Sequence, residues 1–469
     1  MSRLGLASAG RPPEHTVILT AAAAFATLFC VAVPRIGPLI VVSLSVLVAI
    51  FVLASEVRRG EGRESILELV LRPESIFVAW FLAACVWAYA PLKALGEAVL
   101  LALFILHLLF LPRVLERLDA LQIQAIARGI LIGFLLAGVF VCYEIWMRDA
   151  LVRFVLTYFP QLERGLAHHG TIQDGQVVRI GGNISTRSTA VLVLFWCPAV
   201  LAATLYTRGR VRLLSFLVIA AISLIVILHP NTESQSAQLV LVVAAVTLGL
   251  ALGLPKLAPW LVGAALACNL FLIVPASFAL FRADMHLSPS LFLSGQARVI
   301  IWNYTAERVL ENPIFGVGSN STRYLDEDRV KRGEVTVPPG YVAAPQTRAH
   351  PHNVYLQIWY ELGIIGALAF AVLGFSLLRR ISDLSEPSRA LALTHAAVCM
   401  TVIVSTYGLW QAWFQAAIVM SVGAFLLIAT LRARGTEASG QGHAPQPTAH
   451  ENAIPRVNIN PSTAAGPVS

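Results

Sequence analysis

Two histidines stand where a long polar stretch meets an apolar run, in Ala349-His350-Pro351-His352-Asn353-Val354-Tyr355-Leu356-Gln357, which continues to Glu361-Leu362-Gly363. Imidazole titrates near neutral pH and can take or return a proton at a reacting hydroxyl. Pro351 bends the chain between the two rings, so one of them is expected to point inward. His352, beside the helix start, is the first candidate and His350 the second. Asn353 is placed to cap the helix that follows. Asn353, Gln357 and Glu361 recur every four residues. Each such step advances only ~40° around a helix, so the three form one polar stripe. A stripe of that kind in a membrane helix faces protein or water rather than lipid. His352 lies ~180° around the same helix from Glu361. The carboxylate is therefore expected to be a buried hydrogen-bonding group and not the partner of that imidazole.

Upstream runs Ser294-Gly295-Gln296-Ala297-Arg298-Val299-Ile300-Ile301-Trp302, continuing to Glu311-Asn312-Pro313. Arg298, Trp302 and Thr305 share one face of a short helix that Pro313 ends. That face fits a site helix, and it also fits an interfacial helix with an aromatic anchor. Gly316-Val317-Gly318 reads as a tight turn, since no Walker lysine or strand accompanies it as a phosphate loop requires. Asp326-Glu327-Asp328 lies among Arg323, Arg329, Lys331 and Arg332 and reads as a solvated charge cluster. No metal and no cofactor are expected. Glu97, His107, Glu144 and His395 fall in or near apolar runs, where hydrogen bonds between helices are the ordinary role.

The elements that must hold these residues are membrane spans. The 469 residues are 57% hydrophobic and 13% charged, whereas a soluble domain has about 25% charged residues. This excludes a soluble enzyme, a secreted disulfide scaffold and a disordered chain. The six cysteines all lie in apolar runs without metal spacing and read as small buried hydrophobes. Twelve spans are expected, at 16–33, 36–54, 75–91, 94–111, 125–146, 188–206, 213–228, 237–254, 258–281, 354–378, 390–409 and 413–431. The first is expected to be retained rather than cleaved as a signal. The fold class is thus all-α and polytopic, with a transmembrane domain over 16–431.

The net charge of +8 comes from basic residues spread over loops, which argues against a nucleic-acid partner. Arg58, Arg59, Arg63, Arg72, Arg113, Arg117, Arg208, Arg210, Arg212, Lys256, Arg379, Arg380 and Arg389 fall on alternate connections. The positive-inside rule then makes both termini cytoplasmic. The N-terminus (1–15) and a Pro/Gly/Ser-rich tail (432–469), expected to be disordered, lie inside. The loops 147–187 and 282–353 lie outside. The second holds eight Lys/Arg, seven Asp/Glu and three His from Arg282 to His352 and is expected to form a folded helical cap.

Arg298-x-x-Ile301-Trp302, Glu311-Asn312-Pro313-Ile314-Phe315-Gly316-Val317-Gly318, His352-Asn353-x-x-Leu356 and Glu361-Leu362-Gly363 together resemble the bacterial O-antigen ligase and polymerase superfamily. The close match covers about Arg298 to Gly366. The resemblance implies a GT-C-like glycosyltransferase of the bacterial inner membrane, with its cap and site in the periplasm. The implied donor is a glycan on undecaprenyl diphosphate, and the implied acceptor is lipid A-core. Polymerisation onto another lipid-linked unit, or a protein acceptor, is an alternative. A lipid-linked glycan transporter is an alternative of another class, but it would place its charges at the bilayer midplane. By motif, Arg298 binds the diphosphate as a planar fork and His352 deprotonates or orients the acceptor, the attack inverting the anomeric carbon. His350, Asn353 and Trp302 flank the substrate. The superfamily often adds a second diphosphate arginine at the outer start of a span. Here Gln235 stands in that place, in Thr232-Glu233-Ser234-Gln235-Ser236. Arg179, in Arg179-Ile180-Gly181-Gly182-Asn183, is the nearest substitute, with Arg187, Arg282 and Arg35 as others.

Overall fold

The computed structural model describes residues 14–59, 72–162, 170–335 and 350–440. The expected N-terminal segment before Glu14 and the tail after Gly440 lie outside these, as do 163–169 and 336–349 within the two long loops. The compact unit ends at Leu431, and 432–469 form a separate unit. In chain order the helices are α1 Glu14–Ala32, α2 Gly37–Arg59, α3 Pro73–Ala83, α4 Pro91–Leu115, α5 Ala120–Met147, α6 Ala150–Tyr158, α7 Gly182–Leu194, α8 Trp196–Tyr206, α9 Gly209–Leu228, α10 Gln235–Gly253, α11 Ala258–Phe271, α12 Ile273–Arg282, α13 Leu293–Val309, α14 Thr322–Lys331, α15 Val354–Ser382, α16 Ser388–Ser405 and α17 Ala412–Gly440. The fold is an all-α, polytopic membrane fold.

All twelve apolar runs carry helix, and among the described residues not every one of these helices is long enough to cross a bilayer alone. Eight helices are long and apolar enough to cross a bilayer, or ten if each of two bent pairs counts as one. Helix α3 has 11 residues, ~16 Å at 1.5 Å per residue, about half a hydrocarbon core. The bent pairs are α7–α8, at 41°, and α11–α12, at 68°. Both were expected as single spans, and one chemical cause explains both. Pro198 and Pro275 cannot donate to, and clash with, the carbonyls four residues earlier. Those carbonyls belong to Leu194 and Phe271, the last residues of α7 and α11.

Close packing of α1 on α5 uses Gly129 and Gly133. A Cβ on either would lie 2.4 Å from the carbonyl oxygen of Thr20 or Ala24, so only small residues admit this approach. A two-stranded hairpin, β1 Gly170–Gln173 with β2 Gln176–Ile180, stands in the first long loop. It turns on Asp174 and Gly175, both at positive φ (48° and 75°), the backbone an Asp-Gly hairpin turn needs.

The cap is locked to α15 at a break in that helix. Gly363 has φ 65° and ψ −166°, a region essentially reserved to glycine. The break deprives nearby carbonyls of helical donors, and the segment after α13 supplies them. Val317 N–H donates to Tyr360 O (3.0 Å) and Gly318 N–H to Glu361 O (2.9 Å), while Ile364 N–H donates to Pro313 O (2.9 Å). Trp80 Nε1–H closes the set on Leu362 O (3.1 Å). The turn expected at Gly316–Gly318 is therefore present, and it lets backbone meet backbone: a Cβ at Gly316 would lie 2.4 Å from Glu361 C and O.

Candidate active site

The Glu361 carboxylate is buried, as its place on the stripe required, and it organises the ground beneath the site. It accepts from Asn320 N–H (2.9 Å), Thr322 Oγ1–H (2.5 Å), Gln357 Nε2–H (3.2 Å) and Trp410 Nε1–H (2.5 Å). Thr322 opens α14, so the charge faces that helix's N-terminus, where a negative group is favoured. Trp410 belongs to the short connection 406–411 between α16 and α17. Leu409 N–H of the same connection donates to Gln357 Oε1 (2.9 Å). The polar stripe thus grips the 406–411 connection as well as the cap.

That connection in turn holds the histidines. Asn353 is buried and its side chain accepts from Leu356 N–H (3.1 Å), capping α15. Just before it, His352 takes a left-handed backbone at φ 53°, a strained state for a residue with a Cβ. Its Nδ1 lies 2.7 Å from Thr406 O. A carbonyl only accepts, so Nδ1 carries the hydrogen and neutral His352 keeps its lone pair on Nε2. His350 is buried, and its Nδ1 accepts from His352 N–H (3.2 Å). Its ring fills the space over Gly408, where a Cβ would lie 2.6 Å from His350 Cγ. The two imidazole centroids are 4.2 Å apart.

Helix α13 is stapled to this corner by Trp302, whose Nε1–H donates to Pro351 O (2.9 Å). Arg298 stands one turn earlier and is half-buried. Gln235, at the start of α10, accepts from Ser294 Oγ–H (3.0 Å), a further turn back along α13. The next residue of α10, Ser236, donates to Ser405 O at the end of α16 (2.7 Å). The beginning of α10 is therefore bonded both to the beginning of α13 and to the end of α16, just before the 406–411 connection.

Sequence reasoning missed Tyr407, a residue on which two of the basic groups act. Tyr407 Oη shares a hydrogen bond with Thr186 Oγ1 (3.0 Å). Burial pushes its phenol up, while the Thr186 hydrogen bond and the charges of Arg187 and Arg298 hold it down. Arg187 and Arg298 thus act on the same hydroxyl. Arg187 stood only among the alternatives; Tyr407, in an apolar neighbourhood without a motif, gave no signal of its own. Arg179, exposed on β2, instead lines a cavity of about 620 Å³ whose wall includes Thr186. Arg179 thus lines the cavity, whereas the charge of Arg187 acts on Tyr407.

Residues 220–371 match the family model described as O-antigen ligase. This segment is similar to the O-antigen ligase family. It contains Gln235, Arg298, Trp302, His350, His352 and Asn353 but neither Arg187 nor the 406–411 connection. The chain is also similar to proteins provisionally named polysaccharide ligases. It is 34% identical to one from Rickettsia conorii over 127 residues, 26% of this chain and 29% of that one. It is 31% identical to those of Rickettsia felis over 122 residues and Rickettsia prowazekii over 127, with the same shares covered. The chain thus spans 29% of the length of the curated relatives it matches.

The acidic run 326–328 corrects an expectation. Asp326 is not solvated; it is 3% exposed and accepts from Tyr304 Oη–H (3.1 Å). Asp328 accepts from the Tyr89 hydroxyl, and Glu327 pairs with Arg323 (3.0 Å). Helix α14 turns Asp326 inward and its neighbours outward, which a count of charges does not reveal. Glu144 has the role expected of it, a hydrogen bond between helices: its two oxygens accept from Leu151 and Val152 N–H (3.1 Å each) and cap α6.

Burial pushes the Asp326 carboxyl up to about 7, against the pull of the Tyr304 hydrogen bond and the Arg329 and Arg308 charges. In the unfolded chain an aspartate titrates near ~3.9. The folded state therefore binds this proton more tightly, and the stabilisation is complete below about pH 4 and lost as pH rises through 7. The displacement corresponds to a few kcal/mol, on the order of 4. Asp326→Asn, which keeps the oxygen that Tyr304 needs, is expected to flatten the decline in melting temperature of the detergent-solubilised chain between pH 4 and 8. An unchanged slope would assign that decline to other groups.

Proposed function

We propose that the protein is a glycosyltransferase of the O-antigen ligase type, moving a preassembled glycan from undecaprenyl diphosphate to a hydroxyl of lipid A-core. The observation that carries this reading is the Nδ1 tether of His352 to Thr406 O, next to a Tyr407 phenol on which the charges of Arg187 and Arg298 act. A diphosphate leaving group needs fixed cations that never deprotonate, and guanidinium forks meet that need. Arg298 and Arg187 hold the diphosphate, with Tyr407 between them. His352 Nε2 takes the proton of the acceptor hydroxyl as its oxygen forms the bond to the anomeric carbon. The bond from that carbon to the diphosphate oxygen breaks on the opposite face, which inverts the configuration. The bond energy arrives with the donor, so the reaction draws on no nucleotide and no metal. The protein lies in the inner membrane with both termini in the cytoplasm and the site facing the periplasm.

The test is transfer by the purified chain from a defined undecaprenyl-diphosphate glycan to lipid A-core, read by the new glycosidic bond. Formation of that product supports ligation. Products lengthened only on undecaprenyl diphosphate indicate polymerisation, and movement of intact donor across a bilayer indicates transport. EDTA is expected to leave the rate unchanged, because the carboxylates of the acidic run are engaged by Tyr304, Arg323 and Tyr89. A strict requirement for a divalent ion would overturn the metal-free reading.

A further inference from the structure

We infer that the cavity of about 620 Å³ beside the site is a subsite for an uncharged saccharide unit. The inference rests on the glycosyltransferase reading and adds where a sugar sits and of what kind. The size falls within the ~300–1,000 Å³ of small-molecule sites. Three guanidinium groups, Arg148, Arg153 and Arg179, and three carboxylates, Glu144, Asp149 and Glu233, share the wall. A wall of that composition carries donors and acceptors of both signs, the complement of a polyol whose hydroxyls both give and receive hydrogen bonds, although Glu144 also caps α6. It is a poor host for the diphosphate, whose negative charge would meet three carboxylates there.

The wall is built under strain and with bonding capacity in reserve. Arg148 and Asp149 are consecutive left-handed residues, at φ 53° and 61°, a costly backbone that gathers at ligand sites. Burial pushes Asp149 up to about 7, and the Glu144 and Glu233 charges add to it while Arg153 opposes. Carboxylates crowded in this way are relieved by hydroxyls that donate to them. Arg153 Nη1–H is fixed on Val178 O (2.8 Å), while its buried Nε has no partner among the described residues. Thr186, which also lines the cavity, bonds Tyr407 and so joins the cavity to the guanidinium pair.

The experiment uses the whole chain in detergent and a panel of glycosidically capped trisaccharides, neutral or carrying a uronic acid, observed by saturation-transfer NMR. Neutral members are expected to bind, and Glu233→Gln and Arg148→Gln are each expected to weaken them at least tenfold. Equal binding in wild type and both variants, no transfer to any neutral member, or binding confined to the uronates overturns the inference. The same variants in the transfer assay assign the sugar. A tenfold rise in acceptor KM places the acceptor's saccharide in the cavity, and a tenfold rise in donor KM places the donor's. The glycosyltransferase reading fails by a different measurement, namely a wild-type chain that binds neutral saccharide but takes up no undecaprenyl diphosphate.

Discussion

Replacing His352 by alanine is expected to lower glycan transfer by ~10²–10⁴-fold, the contribution of a positioned general base, while undecaprenyl diphosphate still binds. The tether explains why position 352 and not 350 carries the effect. His352 commits Nδ1 to Thr406 O and keeps Nε2, whereas His350 is buried and accepts the His352 amide on its own Nδ1. His352→Gln keeps a side-chain donor for Thr406 but no basic nitrogen, so it is expected to be as inactive as alanine. Arg298→Ala is expected to fail differently, weakening undecaprenyl diphosphate binding by about 1.5–3 kcal/mol, the value of a charge-assisted hydrogen bond. Arg298→Lys retains the charge and loses the fork, so it should recover only part of that affinity. Transfer kinetics together with direct lipid binding check both. Retention of near-normal transfer by both alanine variants would refute the assignment of base and cation to these side chains.

How far the sequence could be read depends on whether a residue acts through its neighbours in the chain. Asn353, Gln357 and Glu361 were legible because helical spacing alone aligns them, and Asn353 capping Leu356 N–H needs nothing beyond four residues. The prolines at 198 and 275 were equally local in their effect. They went unread because a hydropathy window averages over the very carbonyl that each one displaces. Tyr407 and Thr406 were not legible at all. Their roles arise from contacts to Thr186 and His352, 221 and 54 residues away, and no pattern inside an apolar run announces such a meeting. Asp326 shows the converse, since a run of like charges is normally solvated and only the docking of α14 buries one member. Arg187 lies between these cases. Its type and place at a span's start were legible, but choosing it over Arg179 needed the hairpin that carries Arg179 to the neighbouring cavity.

Gly363→Ala is expected to be the most damaging substitution for the fold. A Cβ at this position would lie 2.1 Å from Ile314 O and 2.4 Å from Ile314 C, both backbone atoms that cannot rotate away. The φ of 65° with ψ of −166° adds a conformational penalty of its own, about 1–3 kcal/mol. Relief requires α15 to straighten or the cap segment to withdraw. Either movement breaks the bonds from Val317 and Gly318 to Tyr360 and Glu361 and from Ile364 to Pro313. Glu361 then loses Asn320 and Thr322, and the connection that carries Thr406 loses its anchor through Trp410. The expected result is a membrane-inserted chain whose cap is opened to protease and whose melting temperature in detergent collapses, with transfer lost as a consequence. Glu361→Gln separates the two effects. It keeps one oxygen to accept from both Asn320 N–H and Trp410 Nε1–H, turns its amide N–H to the Thr322 hydroxyl and leaves Gly363 undisturbed, so it should retain the cap's protection while weakening the hold on Thr322 and Gln357. A Gly363→Ala protein with wild-type protease resistance would show that the cap is held by other contacts than this interlock.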